Sequence, residues 1–397
     1  MHDALLLAAP GPGFDPLDGL AGLSLVARAV LTLQKAGIER VRVVAPSELH
    51  ERLRAELADP RVKVAVELAT DAAAVTGPVL VSSVADVVDP AVFRALRAAS
   101  LGEKRAVAAS RGEVSLGPAL VSAQGATELS PQALEGWLSD GTASRLDVGG
   151  AWHERADTPE GRTRAFRELF EACRKPVDGM VSRHLNRHVS IFISKRIVDT
   201  AITPNQMSVV TFVLGLAGAW SVARGGYWWS LLGAFLFQWN SILDGVDGEL
   251  ARVRFQHSKL GQWVDTVADD VSNVIFYAGL AYGAAPLPHG HELFLCGWVA
   301  VGATLLTMAQ NYVELVRLGS GDFYALGWAE KKPSKGLVTQ VVGLFERVLK
   351  KDFFIFLFLC MAAVGALPWA LGLAAFGSVL AFGAASARNL RKLKVFR

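Results

Sequence analysis

Up to about residue 165 the chain alternates short apolar runs with amphipathic stretches. ALLLAAP (residues 4–10) reads as a buried strand running into a Gly/Pro loop, and LSLVARAVLTLQKAGI (23–38) as an amphipathic helix. RVRVVAP (40–46), KVAVELA (63–69) and PVLVSSV (78–84) are further strand-like runs with helical segments between them. Strand and helix in alternation predict an α/β, Rossmann-like sheet. From about residue 205 to 390 the pattern changes to long apolar runs, which predict an all-α membrane domain of six transmembrane helices near 205–223, 227–250, 260–284, 292–316, 352–367 and 369–389. Pro204 suits the first turn of the first of these. Between the two halves, residues 178–200 place Val181, Leu185, Val189 and Phe192 on one side of a helix, with Arg183, Arg187, Lys195 and Arg196 supplying positive charge. That pattern predicts a helix in the headgroup plane, in contact with membrane lipids. The expected division is a soluble domain over 1–165, a juxtamembrane helix over 166–201 and a membrane domain over 202–397.

Charge adds a direction. The loops after the second and fourth spans carry Arg252, Arg254 and Lys259, then Arg317, Lys331, Lys332, Lys335, Arg347 and Lys350, and the tail carries Arg388, Arg391, Lys392, Lys394 and Arg397. The loops after the third and fifth spans have no Lys or Arg, and the loop after the first has Arg224 alone. The positive-inside rule then puts both termini on the cytoplasmic side of the cytoplasmic membrane. A formal net charge of +3 over 397 residues gives no ground for nucleic-acid binding. Cys173, Cys296 and Cys360 are too scattered for a metal site or a disulfide framework. Residues 1–10 lack the basic start of a signal peptide.

The candidate chemistry lies between residues 244 and 269, DGVDGELARVRFQHSKLGQWVDTVAD. On a helix, Asp244, Asp247 and Ala251 share one face, with Gly248 and Arg252 beside it. On a second helix, Gly261, Asp265 and Asp269 stack at i+4 steps. The eight residues between Arg252 and Gly261 suffice to turn the chain back, so four carboxylates can converge between antiparallel helices. They repel unless cations neutralise them, and hard divalent ions take oxygen ligands and clamp phosphoryl groups. Ionisable groups on membrane-length helices are costly, which favours a functional reading.

This D-x2-D-G-x2-A-R-x8-G-x3-D-x3-D pattern resembles the signature of the CDP-alcohol phosphotransferase family and matches it at all eight fixed positions. The resemblance implies an enzyme with two divalent ions, Mg2+ or Mn2+, in which an acceptor hydroxyl attacks the phosphorus distal to cytidine and CMP leaves. It also implies a homodimer, for which Gly279, Gly283, Gly297 and Gly302 would allow close helix approach. On this footing Asp244, Asp247 and Asp265 are expected to bind metal. Asp269 is expected to act as general base while also touching metal. Gly248, Ala251, Arg252 and Gly261 are expected at the nucleotide diphosphate. Asn205 resembles a polar family position near the nucleotide, and Lys195, Arg196, Lys350 and Lys351 are candidates for an acceptor phosphate.

DGMVSRHLNRHVSIFISKRI followed by ITPNQ resembles the fusion proteins named for inositol-phosphate cytidylyltransferase and di-myo-inositol-phosphate-phosphate synthase. The first domain accordingly resembles the sugar-phosphate nucleotidyltransferase fold, whose first strand ends in a glycine-rich loop carrying an arginine and then a lysine. Here Pro10 and Pro12 replace two loop glycines, Phe14 or, shifted by one, Asp15 stands at the arginine position, and no Lys or Arg occurs before Arg28. Proline offers a phosphate no N–H. Asp86 matches a metal ligand of such enzymes, but Arg155 stands where an acidic residue of their closing segment belongs. The expectation is a nucleotidyltransferase-like domain without catalysis, or a docking platform. The readings carried forward are transfer from a CDP-polyol such as CDP-inositol to a polyol phosphate such as inositol phosphate, and phospholipid synthesis from CDP-diacylglycerol and inositol phosphate or glycerol phosphate. Two others are a bifunctional enzyme with an active cytidylyltransferase domain and a non-enzymatic membrane anchor. The complete set of four aspartates argues against the last.

Overall fold

The computed structural model describes residues 3–72, 77–128, 130–175, 178–319 and 350–395. The chain forms two compact units, Met1–Ala172 with Val253–Phe255, and Cys173–Arg252 with Gln256–Arg397.

The first unit is built on a seven-stranded sheet. Its strands are β1 (Asp3–Leu7), β2 (Arg40–Val44), β3 (Ala65–Ala69), β4 (Val79–Ser83), β6 (Ala106–Arg111), β7 (Val114–Val121) and β8 (Ala143–Asp147). A short ribbon pairs β5 (Asp86–Val88) with β9 (His153–Arg155). The order in the sheet is β8-β6-β7-β4-β1-β2-β3, with β7 antiparallel to both neighbours and the rest parallel. Central β1 is apolar on both faces because helices cover both. Leu6 packs with Val30, Leu33 and Phe93 of α1 (Leu25–Lys35) and α3 (Pro90–Ala98), and Leu5 with the cluster that holds Trp137 of α5 (Pro131–Ser139). The helices start where side-chain oxygens can satisfy free N–H groups: Ser24 caps α1, Asp89 caps α3, and Thr158 caps α6 (Pro159–Glu171). Helices α2 (His50–Leu57) and α4 (Ala123–Glu128) complete the unit. The first strand ends at Leu7, short of the expected Pro10, because the chain turns at Gly11–Phe14, where each residue's N–H bonds the other's carbonyl. Arg28, the first cation after that loop, donates to the carbonyls of Leu20, Ala21 and Val253.

The second unit is helical: a π-helical turn (Ser182–Asn186) running into α7 (Arg187–Ile197), then α8 (Pro204–Ala223), α9 (Tyr227–Val253), α10 (Lys259–Ala284), α11 (Gly290–Leu318), α12 (Lys351–Ala363) and α13 (Ala370–Val395). Thr203 and Gln206 form a reciprocal cap at the start of α8, with Pro204 in its first turn. Six helices stand where six spans were expected, but only three segments among the described residues are long and apolar enough to cross a membrane: Pro204–Ala223, Gly290–Leu318 and Leu367–Leu390. The shortfall is physical, since α9 and α10 carry the carboxylates and α12 has 13 residues. Large apolar side chains such as Val213, Trp220, Leu306, Val316 and Phe376 are exposed, as a lipid-facing surface requires. Inside, Phe237 stacks on Phe276 with centroids 4.1 Å apart.

Two expectations change. Gly279 and Gly283 lie against the backbone carbonyls of Ala219 and Val222 on α8, and Gly297 lies against Ala281. These small residues serve packing within the chain, and Gly302 alone of the four has open space around it. Arg187, expected in the headgroup layer, is instead buried in an ion-pair network, while Leu185 and Phe192 on the neighbouring face are exposed. Lys331, Lys332, Lys335, Arg347 and Arg397, part of the charge argument, lie outside the described residues.

Candidate active site

The facing stretches of α9 and α10 bring the motif together. Asn240, Asp244, Asp247 and Ala251 follow one another at three- and four-residue steps along α9, and this stripe meets α8: Asn240 Nδ2 donates to the Thr211 carbonyl at 2.7 Å, and Ser208 Oγ donates to Asp247 Oδ2 at 2.6 Å. On α10, Asp265 and Asp269 follow Gly261. Asp247 and Asp265 lie within hydrogen-bonding reach of each other, and Asp244 lies in the field of both Asp265 and Asp269. Asp269 is ion-paired with Lys351, the first residue of α12. Asp270, outside the motif, accepts from Tyr312 Oη at 2.8 Å.

The remaining motif positions have structural surroundings as well. Arg252 folds back over Gly248: a Cβ there would stand 3.1 Å from Arg252 Nη1. Arg252 Nε and Nη2 are buried with no hydrogen-bond partner, which leaves two donors for an anion. Asn205 is exposed at the start of α8, and its Oδ1 would be 3.2 Å from a Cβ at Gly261, so the first turns of α8 and α10 adjoin. Arg196 does not turn to the carboxylates. Its guanidinium lies 3.4 Å over the Phe192 ring. Lys195 is half-buried on the same helix.

As placed, no three His, Cys, Asp or Glu side chains among the described residues converge tightly enough to hold a metal ion. The donor set nevertheless fits hard divalent cations. It consists of carboxylate oxygens on two facing helices, mutually repelling, with one described ammonium contact among four negative charges.

Residues that spacing did not reveal surround this site. Ser208 and Tyr312 hold carboxylates from helices distant in sequence. Glu249, inside the motif but at no fixed position, is fully buried and accepts from Arg187 Nη1 at 2.9 Å, Ser190 Oγ at 2.7 Å and Ser194 Oγ at 2.7 Å. Arg187 also forks onto Asp178 at 2.9 and 3.1 Å. Burial opposes ionisation of Asp178, but that guanidinium holds its carboxyl below the usual range. The next residue of α12, Asp352, accepts from the Ser182 N–H at 2.6 Å.

The candidate site of the first unit is closed. Asp86 accepts from the Ser83 N–H at 2.9 Å and bonds His153 Nε2 at 3.1 Å, and Arg155 Nη1 stands 3.9 Å away. The β5–β9 register sets Arg155 directly opposite Asp86, so a cation occupies the neighbourhood where a second acid was expected.

The chain is similar to several known proteins. The Thermococcus kodakarensis bifunctional IPC transferase and DIPP synthase is 46% identical over 134 residues, which is 33% of this chain and 30% of that protein. The chain thus spans less than a third of that relative's length. Mycobacterium tuberculosis phosphatidylinositol phosphate synthase in complex with manganese and citrate aligns over 50% of this chain and 87% of its own, with 17% identity and a TM-score of 0.38. The inositol-1-phosphate CTP transferase from T. maritima aligns over 41% of this chain and 91% of its own, with 15% identity and a TM-score of 0.33. Residues 201–323 match the family model for CDP-alcohol phosphatidyltransferase, and the C-terminal part of the chain is a domain of that family.

Proposed function

We propose that the second unit transfers a phospho-alcohol group from a CDP-alcohol to an acceptor alcohol with release of CMP, and that CDP-inositol and an inositol phosphate are the first pair to test. The observation that carries this is the meeting of Asp244, Asp247, Asp265 and Asp269 on two facing helices, beside an arginine with two buried, unpartnered N–H groups. Two divalent ions, Mg2+ or Mn2+, held by these carboxylates, would neutralise the diphosphate and polarise the phosphorus under attack. Arg252 bridges diphosphate oxygens from the Gly248 side, and Asn205 and Gly261 border the nucleotide. The acceptor oxygen bonds to the phosphorus distal to cytidine as the bond from that phosphorus to the CMP oxygen breaks. Asp269 takes the hydroxyl proton, and Lys351 beside it offers a cation to an acceptor phosphate. In this reading α9, α10 and α12 join the three apolar helices as spans, both termini and the site are cytoplasmic, and the protein is a homodimer. In this reading the first unit makes no CDP-alcohol, which is supported by the lack of an N–H at Pro10 and Pro12, the pairing of those of Gly11 and Phe14, and the basic partners of Asp86.

One observation favours a lipid donor. An apolar groove of about 420 Å³ lies between α8 and α10, lined by Val209, Phe212, Trp263, Val264, Val267 and Val271, with Ser208, the partner of Asp247, at its wall. The acyl chains of CDP-diacylglycerol would fit such a surface.

The test is CMP release by the purified full chain with Mg2+, using CDP-inositol or CDP-diacylglycerol against inositol phosphate or glycerol phosphate. Chelator-sensitive release with CDP-inositol is expected. Release confined to CDP-diacylglycerol selects the lipid reading, and none with any pair sinks both. The same chain given CTP and inositol phosphate is expected to release no pyrophosphate.

A further inference from the structure

The motif helix α9 carries a second polar stripe that the transfer chemistry does not use. Gln238, Ser241, Gly245 and Glu249 follow one another at three- and four-residue steps and face the π-turn and α7. Gln238 Nε2 donates to Asn186 Oδ1 at 2.9 Å, and Asn186 Nδ2 donates to Ser241 Oγ at 3.2 Å. Gly245 leaves room for the network, since a Cβ there would stand 3.1 Å from both Arg187 Nη1 and Ser190 Oγ. Glu249 ends the stripe with three donors from one face of α7. At 3.6 residues per turn it points about 160° away from Asp247, so its bonds act on the rotation of α9 from the opposite face, although Arg187 itself also lies in the field of Asp244.

The cost of this arrangement singles it out. Three charged side chains, Asp178, Arg187 and Glu249, are almost wholly removed from solvent, with side-chain exposures of 7%, 10% and 0%. Buried ion triads are weak stabilisers compared with apolar packing of the same volume, and the best-attested use of such groups is to fix register. The bonds here all converge within one turn of Asp247 and Gly248.

We propose that Arg187 is a positioning residue: held between Asp178 and Glu249, it locks α9 at the rotation that turns Asp244 and Asp247 toward α10. This rests on the functional reading above and adds a claim about a helix that lies outside the motif. Without the lock, α9 keeps its apolar packing but samples other rotations, and the carboxylate pair opens.

The experiment compares the full-length wild type with two variants in detergent. Asp178→Asn/Arg187→Met/Glu249→Met removes all three charges together, so no buried charge is stranded. Ser190→Ala/Ser194→Ala removes two of the three donors to Glu249 and leaves the charges paired. Thermal midpoint, Mn2+ affinity by electron paramagnetic resonance, and kcat and KM for CMP release are measured on each. The triple variant is expected to melt close to the wild type yet bind Mn2+ about tenfold or more weakly, with a matching fall in kcat, as loss of outer-shell support does at metal sites. The serine variant is expected to show a smaller shift in the same direction. A folded triple variant equal to the wild type in Mn2+ affinity and kcat overturns the proposal, and if that variant does not fold, an unaltered serine variant does so. CMP release by the wild type tests the functional reading alone, whereas the variant-to-wild-type ratio tests this one.

Discussion

Asp86 in the first unit and the four motif aspartates in the second handle carboxylate charge in opposite ways. Asp86 has His153 bonded to it, Arg155 facing it across a two-stranded ribbon and a backbone N–H beneath it. Its charge is answered from within the fold. Among the described residues, Ser208 donates to Asp247 and Lys351 pairs with Asp269, while Asp244 and Asp265 lie in the field of the other carboxylates. Carboxylate alone does not make a metal site. What separates the two places is that, among the described residues, the second cluster holds more carboxylates than cationic partners, which is the setting the metal-binding proposal above relies on.

The sharpest way to break this comparison is to remove one charge from each cluster. Asp247→Asn is expected to weaken Mn2+ and CDP-alcohol binding together, and Asp269→Asn to leave donor affinity largely intact while cutting CMP release by about a hundredfold or more, the usual worth of a general base. Calorimetry with the CDP-alcohol separates them: a loss of affinity in Asp269→Asn equal to that in Asp247→Asn would make Asp269 a metal ligand first. Asp86→Asn, by contrast, should leave CMP release at the wild-type level. It should lower stability by about 1–3 kcal/mol, read by denaturant unfolding, because it unsettles bonded partners in a buried place.

A smaller effect tests whether Lys351 stands in for a cation. Lys351→Met should destabilise the metal-free protein by about 1 kcal/mol, the worth of a part-exposed ion pair. The rise in melting temperature on adding Mn2+ should then exceed that of the wild type, and an equal rise would count against the idea. The mildest expected effect is on pH dependence. Asp178 titrates below its unfolded value in the fold, so its pairing with Arg187 stabilises fully above about pH 4 and is lost as pH falls through the folded value. Asp178→Asn should therefore flatten the acid limb of the stability curve. An unchanged limb would mean that other carboxylates set it.

The local parts of this structure were legible in the sequence. Helical spacing alone put Asp244, Asp247 and Ala251 on one face and Gly261, Asp265 and Asp269 on another, because those relations are fixed within a turn or two. The strands at β1, β2, β3 and β4 announced themselves as apolar runs between turn residues, and the prolines at 10 and 12 marked a loop unlike that of an active nucleotidyltransferase. The rest depended on pairings across long sequence separations. Nothing near Ser208, Lys351 or Tyr312 says that each will meet a carboxylate from α9 or α10. The faces of residues 178–200 were read by apolarity, which agrees with the exposure of Leu185 and Phe192 but not with Val181, which is buried. That reading misplaced Arg187, because a buried arginine declares itself only through Asp178 and Glu249. The β5–β9 ribbon was invisible for the same reason: three-residue strands carry no periodicity, and their pairing decides that Arg155 lies opposite Asp86.

The two polar stripes of α9 also bear on how the protein is made. A lone helix with Asp244, Asp247 and Glu249 along its length would enter a bilayer at a heavy cost, since each such group needs a partner or water. By length and composition, α8 and α11 are apolar enough to cross without help. Partners that shelter α9 come from segments made before it, Arg187, Ser190 and Ser208, while the Lys351 cation, whose field reaches Asp244, comes after it. In the six-span reading proposed above, α9 would enter the bilayer together with α10, as a hairpin against α8, rather than alone.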